Sequence, residues 1–571
     1  MTRRGRLPLI LVIVVPVLAL WPVVTAEFIP LDDSANVSRN PDYNPPEIAK
    51  LGHYWTGPFL NMYAPLTYTA WAGVARVAWM DSQDHSGLQL NPYVFHAANL
   101  FLHVVCAALV YNILRKLSVP QWAASAGAML FALHPMQVEP VAWVTGFRDL
   151  LAAMFSLAAL LAYVNHAMQA GPTRAVSYAF ACIFLIAALL SKPTSVVVPV
   201  LAAVIDWGVL RRPLREVVKP AGVMLLFVIP FAISTKLIQS ADVTFTPPLW
   251  SRPIIAADAL AFYASKIVFP LRVGLDYGRS PRWLLDQPGM GWLWLALVPV
   301  AVVLWKFRRC RWVLSGVAVL AAALLPVLGL TKFDFQHHST VADRYVYLGM
   351  LGPALLLAFA VSNGGRTTAI VCGVLLVLLA ARSHAQSYAW KNGESIFEAT
   401  LETNRNSLIA TRGLGLIALS EGRRADAEAL FAATLRAHPD DPVTHFHLGN
   451  LYVATGRPKE AVPHLRVAAA THERPWVAAN LANALARSGE NDEAKRVLEA
   501  ALAKAPDSAE LHASLAAVHF RLGDRADAIE QYRAALRLNP NLAVAAQELA
   551  ALEQPPATTS TSIPATTPAP Q

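Results

Sequence analysis

Apolar runs of 16–24 residues, separated by short polar breaks, fill the first 390 of the 571 residues. A helix needs about 20 apolar residues to cross the hydrocarbon core of a bilayer, so the pattern predicts a polytopic, all-α membrane domain. Only 15% of the residues are charged, against about 25% in ordinary soluble domains, which excludes one large soluble enzyme. Eleven spans are predicted, near residues 7–26, 92–113, 121–141, 149–168, 175–190, 194–210, 218–236, 290–305, 313–330, 345–361 and 367–382.

The basic residues indicate how these spans are oriented. Residues 1–390 hold 29 Lys and Arg against 17 Asp and Glu, whereas residues 391–571 hold 18 against 21. Since the basic excess lies in the apolar part, it indicates membrane topology rather than nucleic-acid binding. Keeping the basic loops inside leaves the first loop, 27–91, and the chain after residue 390 on the non-cytoplasmic side. The composition favours a bacterial inner membrane with a periplasmic C-terminal domain, with the endoplasmic reticulum as the alternative. Residues 1–26 are expected to be a retained anchor rather than a cleaved signal peptide.

After residue 390 a repeat with a period of 33–34 residues appears. The turn position of each unit is a glycine and a second position is an alanine: Gly422, Gly456, Gly489 and Gly523, then Ala427, Ala461, Ala494 and Ala528. This tetratricopeptide pattern predicts an α-solenoid over 391–554, with units near 408–441, 442–474, 475–508 and 509–542. An extra helix is expected at 392–405, and the groove of the solenoid should bind a peptide or protein. The Pro- and Thr-rich tail, 555–571, is expected to be disordered, with O-glycan attachment as the alternative.

Ionisable residues cluster at the non-cytoplasmic ends of the predicted spans. They are Asp32 and Asp33 after the first span, then His134, Glu139, Arg148, Asp149, Lys192, Asp343 and Arg344, with Tyr345 beside them. Charged groups at membrane depth are costly and usually line a polar cavity or pair with one another. Adjacent carboxylates suit a general base, and the three cations suit a phosphate. No metal-ligand spacing accompanies them.

Local pairing is the alternative for each charged residue taken alone. It would join Arg148 to Asp149, Arg344 to Asp343, and His134 to Glu139. The convergence of all these residues on one predicted face favours a shared site instead.

The same segments resemble those of the transmembrane and tetratricopeptide-repeat (TMTC-like) O-mannosyltransferases, multispanning members of the GT-C glycosyltransferases. The likeness covers roughly residues 7–553. Its motifs are Asp32-Asp33, His134-Pro135 through Glu139 to Gly146-Phe147-Arg148-Asp149-Leu150-Leu151-Ala152, Ser191-Lys192-Pro193, and Ala342-Asp343-Arg344-Tyr345-Val346-Tyr347-Leu348. The chain departs from the family where Tyr63-Ala64-Pro65-Leu66 lacks an arginine, where Pro193 replaces an acid, and where Phe147 interrupts the Gly-Arg step.

The resemblance implies a membrane glycosyltransferase that moves a mannose-like sugar from a polyprenyl-phosphate donor to Ser or Thr of exported proteins, with the repeats binding the acceptor or a partner protein. It implies that Asp32 or Asp33 takes the acceptor proton, and that Arg148, Lys192 and Arg344 surround the donor phosphate. The remaining residues are assigned supporting roles: His134, Glu139, Asp149, Asp343 and Tyr345. No cofactor is assigned beyond the lipid-linked donor, and a divalent metal is left open.

Two other classes of function remain open at this point. A non-enzymatic, membrane-anchored tetratricopeptide scaffold would need only one span. A lipid-linked glycan ligase or polymerase would be multispanning, but such enzymes use arginine and histidine in large outer loops rather than an aspartate pair after the first span.

Overall fold

The computed structural model describes residues 6–84, 87–238, 245–272, 274–288, 293–471 and 474–554. Within these ranges the chain is built from helices and turns, and β-structure is limited to three isolated bridges. The predicted all-α fold is therefore confirmed. The chain divides between Leu414 and Gly415 into two compact units, called here the membrane unit and the repeat unit. The predicted disordered tail, 555–571, lies outside the described residues.

The membrane unit contains long apolar helices and shorter helices that connect or cap them. In chain order these are α1 (Leu7–Leu20), α2 (Gly52–Thr56), α3 (Pro65–Ala78), α4 (Pro92–Lys116), α5 (Gln121–Leu133), α6 (Val138–Ala142), α7 (Phe147–Met168), α8 (Pro172–Ser191), α9 (Val198–Gly208), α10 (Leu214–Ile238), α11 (Arg252–Val268), α12 (Pro281–Asp286), α13 (Leu297–Lys306), α14 (Arg311–Leu324), α15 (Leu351–Asn363), α16 (Arg366–Ser387) and α17 (Gly393–Thr403). The last of these is the extra helix expected at 392–405, and Asn392 and Ser395 form a capping box at its start.

Six helical segments in the described chain are long and apolar enough to cross a membrane. They coincide with six of the eleven predicted spans, and the other five coincide with apolar helices of 10–17 residues. The third predicted span, 121–141, is wrong as a continuous helix. Helix α5 ends at Leu133 because His134 has an extended backbone and Pro135 has no N–H to continue the hydrogen-bond ladder.

The turn between α6 and α7 positions much of the candidate site. A Cβ atom at Gly146 would collide with the backbone of Pro140, so the close approach of these two segments requires glycine. The approach places Thr145 just before α7 and Arg148 and Asp149 in its first turn. The Gly-Phe-Arg-Asp motif therefore marks a tight backbone corner as well as a set of charges.

The repeat unit consists of paired helices in the predicted register. Its helices are α18 (Leu408–Ser420, which crosses the unit boundary), α19 (Arg424–Ala437), α20 (Pro442–Ala454), α21 (Pro458–Thr471), α22 (Pro475–Ser488), α23 (Asn491–Lys504), α24 (Ala509–Leu522), α25 (Arg525–Leu538) and α26 (Ala543–Glu553). All four turn glycines have φ between +77° and +91°, a region that L residues rarely adopt. The four repeated alanines are fully buried, as expected where two helices touch.

Candidate active site

Asp33 is a buried anchor for the first loop. Its Oδ1 accepts hydrogen bonds from the Thr145 backbone N–H at 3.0 Å and the Thr145 hydroxyl at 2.6 Å, and its Oδ2 accepts one from the Ile29 N–H at 3.0 Å. Burial raises the pKa of Asp33 to about 7, although these hydrogen bonds favour the ionised form. The residue thus holds the start of the first loop against the corner before α7.

Asp32, its neighbour in the sequence, has the opposite environment. Its side chain is 56% exposed and its Oδ2 lies 3.5 Å from an Nη of Arg148. The Arg148 guanidinium is largely buried, contacts the Met62 sulfur at 3.6 Å and lies over the Trp71 ring at 6.0 Å. A fixed cation therefore orients a carboxylate that is open to an incoming molecule.

Lys192 and Asp149 form a second pair inside a small cavity. The ammonium nitrogen of Lys192 lies 2.6 Å from the Asp149 carboxylate, and the two side chains are only 12% and 11% exposed. Burial lowers the pKa of Lys192, Asp149 raises it, and the charges of Arg148 and Arg344 lower it further. Lys192 is therefore within electrostatic range of both other predicted phosphate-binding cations, Arg148 and Arg344.

The cavity has a volume of about 40 Å³, room for a few water molecules. Polar and apolar residues both line it. The polar ones are Asp149, Ser156, Lys192, Thr194, Ser195, Arg344, Tyr345 and Tyr347, and the apolar ones are Ala152, Ala153, Val197, Ala323, Pro326, Val327 and Leu348. The lining therefore offers contacts to a charged head group and to a hydrocarbon chain.

Arg344 forms the third pair, with Glu139. The backbone N–H of Arg344 donates to one Glu139 oxygen at 3.0 Å, and its guanidinium donates to the other. The guanidinium also lies over the rings of Phe335 at 4.3 Å and Tyr345 at 4.9 Å. Both groups of this pair are buried, and Arg344 is the one that lines the cavity.

His134 and Asp343 lie outside the cavity lining, as do four other predicted site residues: Asp32, Asp33, Glu139 and Arg148. A ring nitrogen of His134 is 3.0 Å from the Ile267 carbonyl oxygen, and the other accepts from the Met136 N–H at 3.3 Å, so this histidine fixes the break after α5. Asp343 accepts the Tyr277 hydroxyl at 2.8 Å, and burial raises the pKa of this carboxyl well above its usual range. Both residues support the segments that carry the cavity residues.

The three ion pairs join residues far apart in the chain. Arg148 and Asp32 are 116 residues apart, Lys192 and Asp149 are 43 apart, and Arg344 and Glu139 are 205 apart. The local pairing considered above is therefore wrong for both arginines. Each predicted cation has a carboxylate partner, which leaves the group close to electrically neutral.

The sequence did not single out several residues that help to build this site. Thr145 donates a hydrogen bond to Asp33. Arg148 is contacted by Met62 and Trp71. Three residues with hydroxyl groups line the cavity: Ser156, Thr194 and Ser195. Thr145 directly precedes Gly146 of the motif, and Thr194 and Ser195 follow Lys192 within three residues, so proximity was an available signal. Met62 and Trp71 had no such signal because they lie in the apolar stretch of the first loop.

The repeats of this chain resemble those of known proteins. A family model described as tetratricopeptide repeat matches residues 378–442, 412–475 and 480–543. Among solved structures, that of YrrB, described as a TPR protein with an unusual peptide-binding site, is 20% identical, with a TM-score of 0.26, and covers 31% of this chain and 90% of that one.

Curated relatives match most of the chain. Protein O-mannosyl-transferase TMTC3 of Homo sapiens is 22% identical over 91% of this chain and 63% of its own length. TMTC1 of Homo sapiens is 24% identical over 70% of this chain and 48% of its own length, and Tmtc2 of Drosophila melanogaster is 29% identical over 39% and 26%. The chain thus spans less than two thirds of the length of these relatives.

The fold defines a helical membrane protein that carries tetratricopeptide repeats. The matches confirm the resemblance predicted from the motifs: this chain is TMTC-like.

Proposed function

We propose that the protein is a membrane glycosyltransferase that moves a mannose-like sugar from a polyprenyl-phosphate donor to Ser or Thr hydroxyls of exported proteins. The observation that carries the proposal is that Lys192, Asp149 and Arg344 line one cavity, while Arg148, whose charge acts on Lys192, pairs with the exposed Asp32. The similarity to relatives named as protein O-mannosyl-transferases supports it. The proposed location is a bacterial inner membrane, with the first loop and the repeats on the periplasmic side.

Asp32 is the proposed general base. A Ser or Thr hydroxyl is too weak an acid to ionise unaided, so a carboxylate must take its proton as the new bond forms. The hydroxyl oxygen bonds to the anomeric carbon while the bond from that carbon to the phosphate oxygen breaks. The proton passes to Asp32, and polyprenyl phosphate leaves. Asp33, whose two oxygens are occupied by Thr145 and Ile29, is proposed as a positioning residue.

Lys192 and Arg344 are the proposed phosphate-binding cations, and the apolar residues of the cavity lining are the proposed contact for the first part of the lipid chain. Arg148 is proposed to orient Asp32 as well as to add positive potential. A sugar phosphate is larger than the present cavity, so donor entry requires the cavity to widen. The Lys192–Asp149 pair is the contact that the phosphate would replace.

The repeat unit is proposed to bind the acceptor or a partner protein. Trp476 is partly exposed and packs edge-to-face with Phe446 at 4.7 Å, and it lines a recess of about 570 Å³ together with Pro475, Lys504 and Glu510. An exposed aromatic beside polar groups is a common anchor for a bound polypeptide.

The test uses the purified full-length chain in liposomes with radiolabelled polyprenyl-phosphate mannose and exported proteins of the host. Transfer of label to protein supports the proposal, whereas label in polysaccharide supports a ligase or polymerase, and no transfer supports a scaffold.

Asp32→Asn should lower transfer about 100-fold or more. Glu47→Gln, which changes an exposed carboxylate of the same loop paired with Lys50, is the matched control and should keep full transfer. Full transfer by Asp32→Asn, Asp33→Asn and the double variant would overturn the assignment.

A further inference from the structure

A tight hairpin at residues 59–62 lies next to the exposed end of the candidate site. The backbones of Phe59 and Met62 exchange hydrogen bonds of 2.9 and 3.0 Å, so Leu60 and Asn61 form the two-residue tip. Met62 contacts Arg148, which in turn pairs with Asp32. The hairpin is thus connected to the proposed base through one methionine and one arginine.

The tip is strained, and its strained leucine is exposed. Leu60 has φ +46° and Asn61 has φ +58°, the left-handed values of a type I′ turn, which favours Asn-Gly. Asparagine tolerates this conformation, but leucine does so only at a cost in free energy. The Leu60 side chain is 53% exposed, so burial within the unit does not offset that cost.

The base of the hairpin keeps the tip in place. The Phe59 ring packs edge-to-face against Tyr54 at 5.2 Å and Tyr68 at 5.4 Å, and the Tyr68 hydroxyl donates to the Phe59 carbonyl at 3.4 Å. Surroundings of this kind hold a residue in an unfavourable conformation, and such residues concentrate at functional sites. The structure therefore presents one exposed apolar side chain on the hairpin whose Met62 contacts Arg148, the partner of the proposed base.

We propose that Leu60 contacts the acceptor polypeptide and contributes to its affinity for the site that contains Asp32. This inference rests on the proposed function. An acceptor chain is favoured over membrane lipid as the occupant because the hairpin contacts Arg148, the partner of the proposed base, and because the other residue of its tip is the exposed, polar Asn61. A bound polypeptide would bury the leucine side chain that the fold leaves exposed.

Two substitutions of Leu60 distinguish the contribution of its side chain from that of its strained backbone. Leu60→Gly removes both, because glycine adopts positive φ freely, whereas Leu60→Ala removes most of the side chain and keeps the strained backbone. Both variants should raise the acceptor KM about tenfold, with kcat and the donor KM unchanged. Leu60→Gly should melt at the same temperature as the wild type or higher. Ile48→Ala changes another exposed apolar residue of the same loop and should leave the acceptor KM unchanged.

The assay runs on the full chain in liposomes with a soluble acceptor peptide. Unchanged acceptor KM in both Leu60 variants would overturn the inference while leaving the proposed function intact, provided that the wild type transfers sugar and Asp32→Asn does not. A rise in the donor KM, or a lower kcat together with a lower melting temperature, would assign Leu60 a structural role and also overturn it. Absence of transfer by the wild type would overturn the proposed function and this inference with it.

Discussion

The membrane unit and the repeat unit use ion pairs of similar length in very different surroundings. Lys192–Asp149 in the membrane unit and Arg533–Glu553 in the repeat unit are 2.6 and 2.7 Å long. The first pair is almost buried, whereas the side chains of the second are about half exposed. A buried charge without its partner is strongly destabilising, but an exposed pair contributes little. Loss of a charge from a buried pair of the membrane unit should therefore destabilise the fold, whereas loss of one from an exposed pair of the repeat unit should have little effect on stability.

The largest effect is expected from breaking the Arg344–Glu139 pair. Glu139→Gln should lower the free energy of unfolding by about 3–5 kcal/mol, because it leaves the buried Arg344 without its counter-charge. The double variant Glu139→Leu, Arg344→Met should regain most of that stability but still transfer poorly, since one of the two proposed phosphate-binding cations is missing. Thermal melting in detergent and the transfer assay measure the two effects. Restored transfer in the double variant would contradict the proposed role of Arg344.

The next largest effect tests the second buried pair. Lys192→Met should lower transfer about 100-fold, because it removes one fixed positive charge from where the leaving phosphate gains negative charge. Lys495→Met is the control in the repeat unit, where Lys495 lies 4.0 Å from Glu499 at the surface. Equal activity of both variants would contradict the placement of the donor phosphate beside Lys192.

A smaller effect concerns pH and the buried anchor of the first loop. Burial raises the pKa of Asp33 in the folded protein to about 7, above its usual value of about 3.9. Between about pH 4 and pH 7 the folded state therefore binds more protons than the unfolded state, and stability falls as the pH rises, by at most about 1.4 kcal/mol per pH unit. Melting temperatures of the wild type and Asp33→Asn between pH 5 and pH 8 test this. The wild type should lose stability relative to the variant on going to pH 8, and parallel curves would contradict the expectation.

The smallest effect is expected at the surface of the repeat unit. Glu493 lies 2.8 Å from Arg466, and the side chains are 33% and 50% exposed, respectively. Glu493→Gln should lower the free energy of unfolding by at most about 1 kcal/mol, and added salt should reduce the difference further. A loss as large as that of Glu139→Gln would remove the distinction between the two units.

The repeats were predictable because their contacts are local and recur. A small residue, a glycine turn and a large apolar residue return every 33–34 positions, so four copies report the same geometry. The positive φ of all four turn glycines and the full burial of Ala427, Ala461, Ala494 and Ala528 follow from that pattern. The long spans were predictable for a similar reason, since apolar length along one helix is a property of consecutive residues.

The candidate site was predictable only as a set of residue types on one face. Charge and motif pointed to Arg148, Lys192 and Arg344, but they did not say which carboxylate each would meet. They also treated Asp32 and Asp33 alike, although one is exposed beside Arg148 and the other is buried against Thr145. Successive side chains point in different directions, so neighbours in the sequence can have unlike surroundings.

The amino-acid sequence alone determined the helical class, the apolar spans and the register of the repeats, because each depends on residues close together along the chain. Tertiary structure decided the ion pairs that join residues up to 205 positions apart, the different environments of Asp32 and Asp33, and the strained tip at Leu60. The physical reason is that Coulomb attraction and desolvation depend on distance and burial in space, and both arise only when distant helices pack together.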